Sequence, residues 1–400
     1  MHRLFIAAAL ALALPAAAAD TEVVVWHAYR GGEKAAIEKV AAAYNASHPG
    51  TKVVTLAVPF DAFADKISAA VPRGKGPDVF IYAQDRLGGW IEAGNTVEPI
   101  DFLLDDATKA RFLPTTLDAM TYRGTIYGLP VNYKVITLIY NKKLIKAAPK
   151  TSAELETVAK KLTDKASGRF GLAYAYNDFY YNAALMNAFG GRVFEGKTAK
   201  PVLNAPENAK ALEQLLRWQS MGILPAEPSS ALINALFNEG KAAMVFSGPW
   251  FLGEISPSIE WGLAPLPTIA AAGNKPMRPW MTVEGAFVSA PSKHKDAAFD
   301  FVKYLTDKEP AKVLALEGRQ TPANKNVYDD PKVAADPVLK AFRSQVEVAV
   351  PMPNLPEMTM VWSPATTMTA SVIHGGAKIG PALEAAQAQV VSQIADLKHK

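Results

Sequence analysis

The sequence contains no cysteine. No disulfide can close a loop and no zinc-thiolate site can form. A chain of 400 residues must then be held by buried apolar side chains, and this length permits a sizeable core. A strong charge of either sign is missing too. The 42 Lys and Arg nearly balance 38 Asp and Glu, for a net charge of +4, and no dense basic run occurs. The electrostatic footprint of a nucleic-acid binder is therefore absent. After the N-terminal segment no unbroken apolar run reaches the length of about 18 residues needed for a membrane-spanning helix. Catalytic signatures are missing as well: there is no G-x-S-x-G elbow, H-E-x-x-H helix, P-loop or G-x-G-x-x-G turn. Six histidines (His2, His27, His48, His294, His374, His399) are scattered, with no pair at metal-ligand spacing on one helix face. No metal or redox cofactor is implied.

What is present begins with an export signal. Met1 to Ala19 has His2 and Arg3, an apolar run from Leu4 to Leu14, then Pro15 and a string of alanines. A charged start, short apolar middle and small-residue end read as a secretory signal peptide cleaved near Ala19. With no cysteine to carry a lipid behind it, the mature chain is expected free in the periplasm.

The remaining chain, 50% hydrophobic and 20% charged overall, reads as two globular domains. Glu22 to Trp26, Lys52 to Val58 and Val79 to Tyr82 are strand-like. They alternate with helical patterns over Glu33 to Ser47 and Asp61 to Val71. That βαβαβ rhythm predicts a parallel sheet with helices on both faces. Tyr133 to Asn141 reads as one further strand. The pattern then restarts, with a helix over Ser152 to Leu162 and strands at Gly171 to Tyr176 and Ala242 to Phe246. A last strand is expected at Gly285 to Ser289, and the chain end is helical from about Ala365 through Ile394. No short repeat excludes a two-lobe arrangement by making a solenoid. A cleft between two α/β lobes is a preferred ligand site.

One stretch carries the chemistry, GPDVFIYAQDRLGGW over Gly76 to Trp90. A short strand opens into the polar corner Gln84-Asp85-Arg86, which places side chains at the carboxyl edge of a sheet. Tyr82 offers an aromatic face, Asp85 an acceptor and Arg86 donors, the combination a sugar ring and its hydroxyls require. Further aromatics gather at element ends: Tyr176, Phe179, Tyr180, Tyr181, Trp250, Phe251, Trp280 and Trp362. Trp90, Trp218 and Trp261 sit in element-like contexts and read as core. Trp250 after Gly-Pro and Trp362 after the loop Pro351 to Pro356 read as cleft residues.

On these residues the chain resembles a known family, the periplasmic maltose/maltodextrin-binding proteins of sugar ABC importers (extracellular solute-binding family 1). The matching stretches are GPDVFIYAQDRLGGW (76–90), YRGTIYGLPV (122–131), TLIYNKKL (137–144), FNEGKAAMVFSGPW (237–250) and PMPNLPEMTMVW (351–362). They run along essentially the whole mature chain. The resemblance implies an α/β fold, the type II two-lobe periplasmic binding protein, whose chain crosses the hinge several times and whose hinge closes on sugar. It implies a first lobe of residues 20–133 plus 284–330 and a second of 134–283 plus 331–400. It implies membrane permease subunits as partners of a monomeric receptor. The family's stacking aromatic falls on Tyr82 and its Asp-Arg pair on Asp85 and Arg86. Its helix-start acid and the following aromatic fall on Asp178 and Tyr180, its Gly-Pro-Trp aromatic on Trp250, and its late tryptophan on Trp362.

The chain departs from the pattern at three places. Lys134 stands where an acid precedes the crossover strand, Tyr29-Arg30-Gly31 stands where an Asp-Lys pair follows the first strand, and Thr366 replaces an arginine. Glu284, near another crossing, is the acid that can restore an acceptor. The expected ligand is a neutral oligosaccharide, an α-glucoside such as maltose or a short maltodextrin. The alternative is an anionic sugar, a uronate or sugar phosphate, met by Arg30, Lys134 and Arg86. A carbohydrate-active enzyme, with Asp85 and either Asp178 or Glu284 as paired carboxylates, is the third reading.

Overall fold

The computed structural model describes residues 21–196 and 198–398. The expected signal peptide, and with it His2 and His399, lies outside the described residues.

β1 (Thr21–His27) pairs in parallel with β2 (Thr51–Ala57) along its whole length, and β3 (Val79–Ala83) joins β1 in parallel on the other side. The connections are α1 (Gly31–Ser47) and α2 (Phe60–Ala70). α1 turns Ala36, Ile37, Val40 and Tyr44 inward, and α2 buries Phe63 and Ile67 completely. Each such fully buried side chain contributes about 1.5–3 kcal/mol. Glu33 is also buried, in the first turn of α1, where it meets the Lys134 ammonium. All three strands end on one edge of the sheet, at His27, Ala57 and Ala83, and the chain that follows carries Arg30, Phe60 and Gln84 there. The last of these ends leads through a tight turn into α3 (Leu87–Ala93).

The expected single strand over 133–141 is two strands. β4 (Gly128–Lys134) belongs to the first sheet, and after only Val135 and Ile136 the chain enters a second sheet as β5 (Thr137–Asn141). An apolar run carries no mark of where the chain changes hydrogen-bonding partners. The second sheet adds β6 (Phe170–Ala173), β7 (Ala242–Ser247) and β8 (Trp261–Ala264), in the order β8-β5-β7-β6. Around it lie α4 (Ser152–Leu162), α5 (Phe179–Ala188), α6 (Pro206–Ser220) and α7 (Ser230–Asn238).

β9 (Trp280–Val288) returns to the first sheet and lies antiparallel between β3 and β4. The fully parallel sheet expected from the βαβαβ start is thus corrected to a mixed one, ordered Thr321–Pro322, β4, β9, β3, β1, β2. β9 starts five residues earlier than its apolar pattern suggests, because Thr282 and Glu284 interrupt the pattern and are satisfied by tertiary partners. The chain then forms α8 (Lys295–Leu305), α9 (Lys308–Leu316), α10 (Trp362–Ile373) and α11 (Ile379–Lys398). The expected continuous terminal helix is broken between the last two, where Gly376 takes φ 65°, a left-handed turn that glycine adopts freely.

Among the described residues two large apolar cores result, with a small third cluster beside α9. Val23, Phe80 and Phe287 anchor one, and Leu138, Leu172, Trp218 and Phe246 the other. The molecule is a two-lobe α/β protein, its lobes joined through β4-β5, β9 and the segment before α10. The short helix Pro331–Ala335 packs Val333 on Ala311 and Ala315 of α9, on the first lobe's side. Among the described residues no helix is long and apolar enough to cross a membrane.

Candidate functional site

Asp85 sits in the turn that follows β3 and is buried. Its Oδ2 accepts a hydrogen bond of 3.1 Å from the Trp362 indole N–H, and Arg86 Nε lies 3.3 Å away. Burial pushes its pKa from the usual 3.8 to about 6, against the pull of Arg86 and Trp362. Gln84 beside it ties three strands of chain together. Its Oε1 accepts from Val283 N at 2.7 Å on β9, and its Nε2 donates to Met352 O at 3.1 Å. The loop carrying Met352 approaches α3 closely because residue 88 is glycine. A Cβ there would stand 2.6 Å from Asn354 O and 2.7 Å from Pro356. The two distant stretches 76–90 and 351–362 are thereby brought to one place.

Tyr82, expected as a stacking platform, is itself covered. Its ring lies nearly parallel to Phe63 at 4.9 Å and stacks on Phe60 at 5.4 Å, and only 6% of the residue is exposed.

The opposite wall is aromatic. Asp178 caps α5, its Oδ1 accepting from Tyr180 N at 2.9 Å, while the side chain stays exposed. Tyr180 is half-buried, 6.2 Å from Trp250 and 6.4 Å from Trp280 between ring centres, and its hydroxyl accepts from Thr282 Oγ1 at 3.3 Å. Trp280 meets Trp362 edge-on at 5.6 Å. The rings run in sequence from Trp250 through Tyr180 and Trp280 to Trp362, and end on the Asp85 carboxylate. Gly248 sets the first of them, because a Cβ at 248 would collide with the Trp250 indole.

Lys134, Glu284 and Arg30 take other places than expected. Lys134 is buried, with Nζ 2.8 Å from Glu33 Oε1 and 3.1 Å from Glu284 Oε1. Asn132 donates to Glu284 Oε2 at 2.9 Å, to the Tyr29 hydroxyl at 3.0 Å and to Gln320 Oε1 at 3.1 Å. Two carboxylates share one ammonium in a dry setting. Desolvation raises the pKa of Glu33, with Lys134 opposing and Glu284 adding to the rise. Lys134 is held charged, since the two acids outweigh its own desolvation. Arg30 reaches across to the second lobe, where Nε pairs with Glu254 Oε1 at 2.6 Å, and Asn234 donates to Glu254 Oε2 at 2.6 Å. Backbone follows: Gly31 and Gly32 lie against Gly253. Each of the three cations expected to make the cleft basic is therefore matched by a carboxylate. Thr366 is exposed on α10 and contributes no charge.

Residues 30–312 match the family model described as bacterial extracellular solute-binding protein. The chain belongs to that family. A maltotriose-binding protein of Pyrococcus abyssi is 35% identical over 347 residues, 85% of this chain and 75% of the relative. A galactooligosaccharide-binding protein of Bacillus subtilis is 28% identical over 389 residues, 94% and 90% of the two chains. Among solved structures, the Thermus thermophilus maltotriose binding protein bound with maltotriose superposes with a TM-score of 0.87 at 28% identity, over 93% of this chain and all of the other.

In this solute-binding protein several cleft-side residues escape a reading of the sequence. Glu33, Asn132 and Gln320 complete the buried cluster, and Glu254 answers Arg30. Only Glu33 left a trace, as an acid in the first helical turn after β1, where a helix dipole alone would account for it. Trp280 showed itself as an aromatic at an element end, and its 2% exposure makes it the wall behind Tyr180 and Trp362.

Proposed function

We propose that the protein is an extracytoplasmic receptor that closes its two lobes on a neutral oligosaccharide of the maltose series and passes it to the membrane permease subunits of an ABC importer. The observation that carries this reading is the unbroken run of rings Trp250, Tyr180, Trp280 and Trp362 ending on Asp85. Sugar rings pack their C–H faces on such a wall, and their hydroxyls find acceptors and donors at Asp178, Asp85 and Arg86. Tyr180, Trp250 and Trp362 form the apolar contribution, and Tyr82, covered by Phe60 and Phe63, supports the wall from behind. Arg30, Lys134 and Glu284 serve the frame: the first latches the lobes, the other two brace the crossing strands. Sugar favours the closed form because only closure lets both walls touch it.

The internal pairing of Arg30, Lys134 and Arg86 argues against an anionic sugar, since a uronate would have to displace a carboxylate already in place. The named sugars of the relatives support an oligosaccharide, and both the maltose and galactoside series belong in the test. The reading includes export with cleavage near Ala19, a monomeric receptor, and lobes of 20–133 with 284–330 and 134–283 with 331–400, the helix at 331–335 packing on the first lobe. It has no catalytic step, so incubation with maltodextrins should release no new reducing ends.

A thermal-shift screen of the mature chain tests the proposal. At a hundredfold excess over its dissociation constant a ligand adds about 2.7 kcal/mol of stability. Maltose, maltotriose or maltotetraose should raise the melting temperature more than a galactooligosaccharide does, and galacturonate should not raise it. A shift with galacturonate alone would overturn the neutral-sugar reading.

A further inference from the structure

β2 and the start of α2 present an aromatic ring that the site described above leaves unused. Phe60 is the first residue of α2, and 57% of it is exposed. It lies on the carboxyl edge of the first sheet, the edge that also carries Arg30 and Asp85, because β1, β2 and β3 run parallel and end together. Its ring stacks on Tyr82 at 5.4 Å with an interplanar angle of 27°. Tyr82 in turn stacks on Phe63 at 4.9 Å and 4° and is nearly inaccessible. In this stack of three rings, only Phe60 offers a free face. Phe63, three residues along the same helix, is fully buried, so α2 spends one aromatic on the core and holds the other outside.

We infer that Phe60 is a stacking subsite for an additional sugar unit of a longer oligosaccharide, at the lip of the first lobe. The inference rests on the proposed function and deepens it, assigning chain-length preference to a residue outside the expected set. Physically, an exposed phenyl ring backed by two more rings is held in one orientation. A pyranose laid on it removes apolar area from water without the cost of ordering a loose side chain. Asp61, next in sequence, exposed and in the same first helical turn, supplies carboxylate acceptors for hydroxyls. Tyr82 then acts as the support of the platform.

Calorimetric titration of maltose, maltotriose and maltotetraose into wild type, Phe60→Ala, Phe60→Leu and Phe60→Trp tests this. In the wild type, affinity should rise with length. In Phe60→Ala the gain from maltose to the longest sugar should shrink by about tenfold, as expected for one aromatic stacking contact. Phe60→Trp should keep the gain and Phe60→Leu, apolar but without a ring, should not. A length gain unchanged in Phe60→Ala overturns the inference, as does full rescue by leucine. Equal loss at every length also overturns it, because Phe60 would then only support the common site through Tyr82. A wild-type chain that binds none of the three sugars overturns the proposed function instead, a result this set of titrations separates from the others.

Discussion

Trp250 depends on the residue two positions before it. The indole folds back over Gly248, whose missing side chain leaves the space, and a Gly-Pro-Trp sequence thereby fixes the angle of that ring. Replacing Trp250 with alanine should weaken maltotriose binding at least tenfold, about 1.4 kcal/mol, with the melting temperature of the free protein little changed. Affinity within a factor of two of wild type would remove Trp250 from the site. Asp85 allows a second prediction at this scale. Its folded-state pKa of about 6 lies above the usual 3.8, so the folded chain binds this proton more tightly than the unfolded chain does. The stabilising contribution is complete below pH 4 and is lost as pH rises through 6, about 3 kcal/mol for a shift of this size. The melting temperature of wild type minus that of Asp85→Asn should therefore fall between pH 4 and 6.5. A difference that stays flat would show that Asp85 titrates as a solvated acid.

At the scale of elements, the crossing strands β4 and β9 carry ionisable residues where apolar ones would be ordinary. β9 places Glu284 opposite Asn132 of β4, and Lys134 ends β4 between Glu284 and Glu33 of α1. The cluster holds one helix and two strands at the place where the chain leaves the first lobe. Removing the ammonium strands two buried carboxylates beside each other. Lys134→Met should destabilise the protein by about 3 kcal/mol or more, the usual effect of breaking a buried ion pair from one side. Denaturant unfolding measures it, and a loss below about 1 kcal/mol would mean that water or a proton already satisfies the acids. Pairing Lys134→Met with Glu284→Gln should recover part of the loss, since the two sites are coupled.

At the scale of the whole molecule, Arg30 and Glu254 join lobes that the hinge would otherwise leave free to part. The pair is more than half exposed on the arginine side, so its contribution is modest, about 0.2–1 kcal/mol, and is screened by salt. Arg30→Ala should speed maltotriose release by less than about fivefold in stopped-flow measurements at low salt, with the difference shrinking as salt is added. A difference that persists unchanged in 1 M salt would point to Arg30 touching sugar directly.

Much of this protein was legible in the order of its residues. The spacing of apolar side chains marks β1, α1, β2, α2 and β3, because each of those elements buries a face against its immediate neighbours in sequence. The stretch 76–90 announces a polar corner at a sheet edge for the same local reason, and the absence of cysteine and of catalytic signatures narrows the chemistry. The pairing of charges was not legible. Glu33 and Lys134 are a hundred residues apart, and Arg30 and Glu254 lie on different lobes, so composition could only count them as a surplus of cations near the cleft. Nor could an apolar run over 133–141 disclose that it serves two sheets. Which ring of the stack at Tyr82 faces outward depends on how α2 sits on β3. Local sequence determines periodicity, caps and turns through short-range sterics and burial. Which charge neutralises which, and which aromatic face stays open, is decided only when distant segments pack, because both depend on desolvation by neighbours far apart in the sequence.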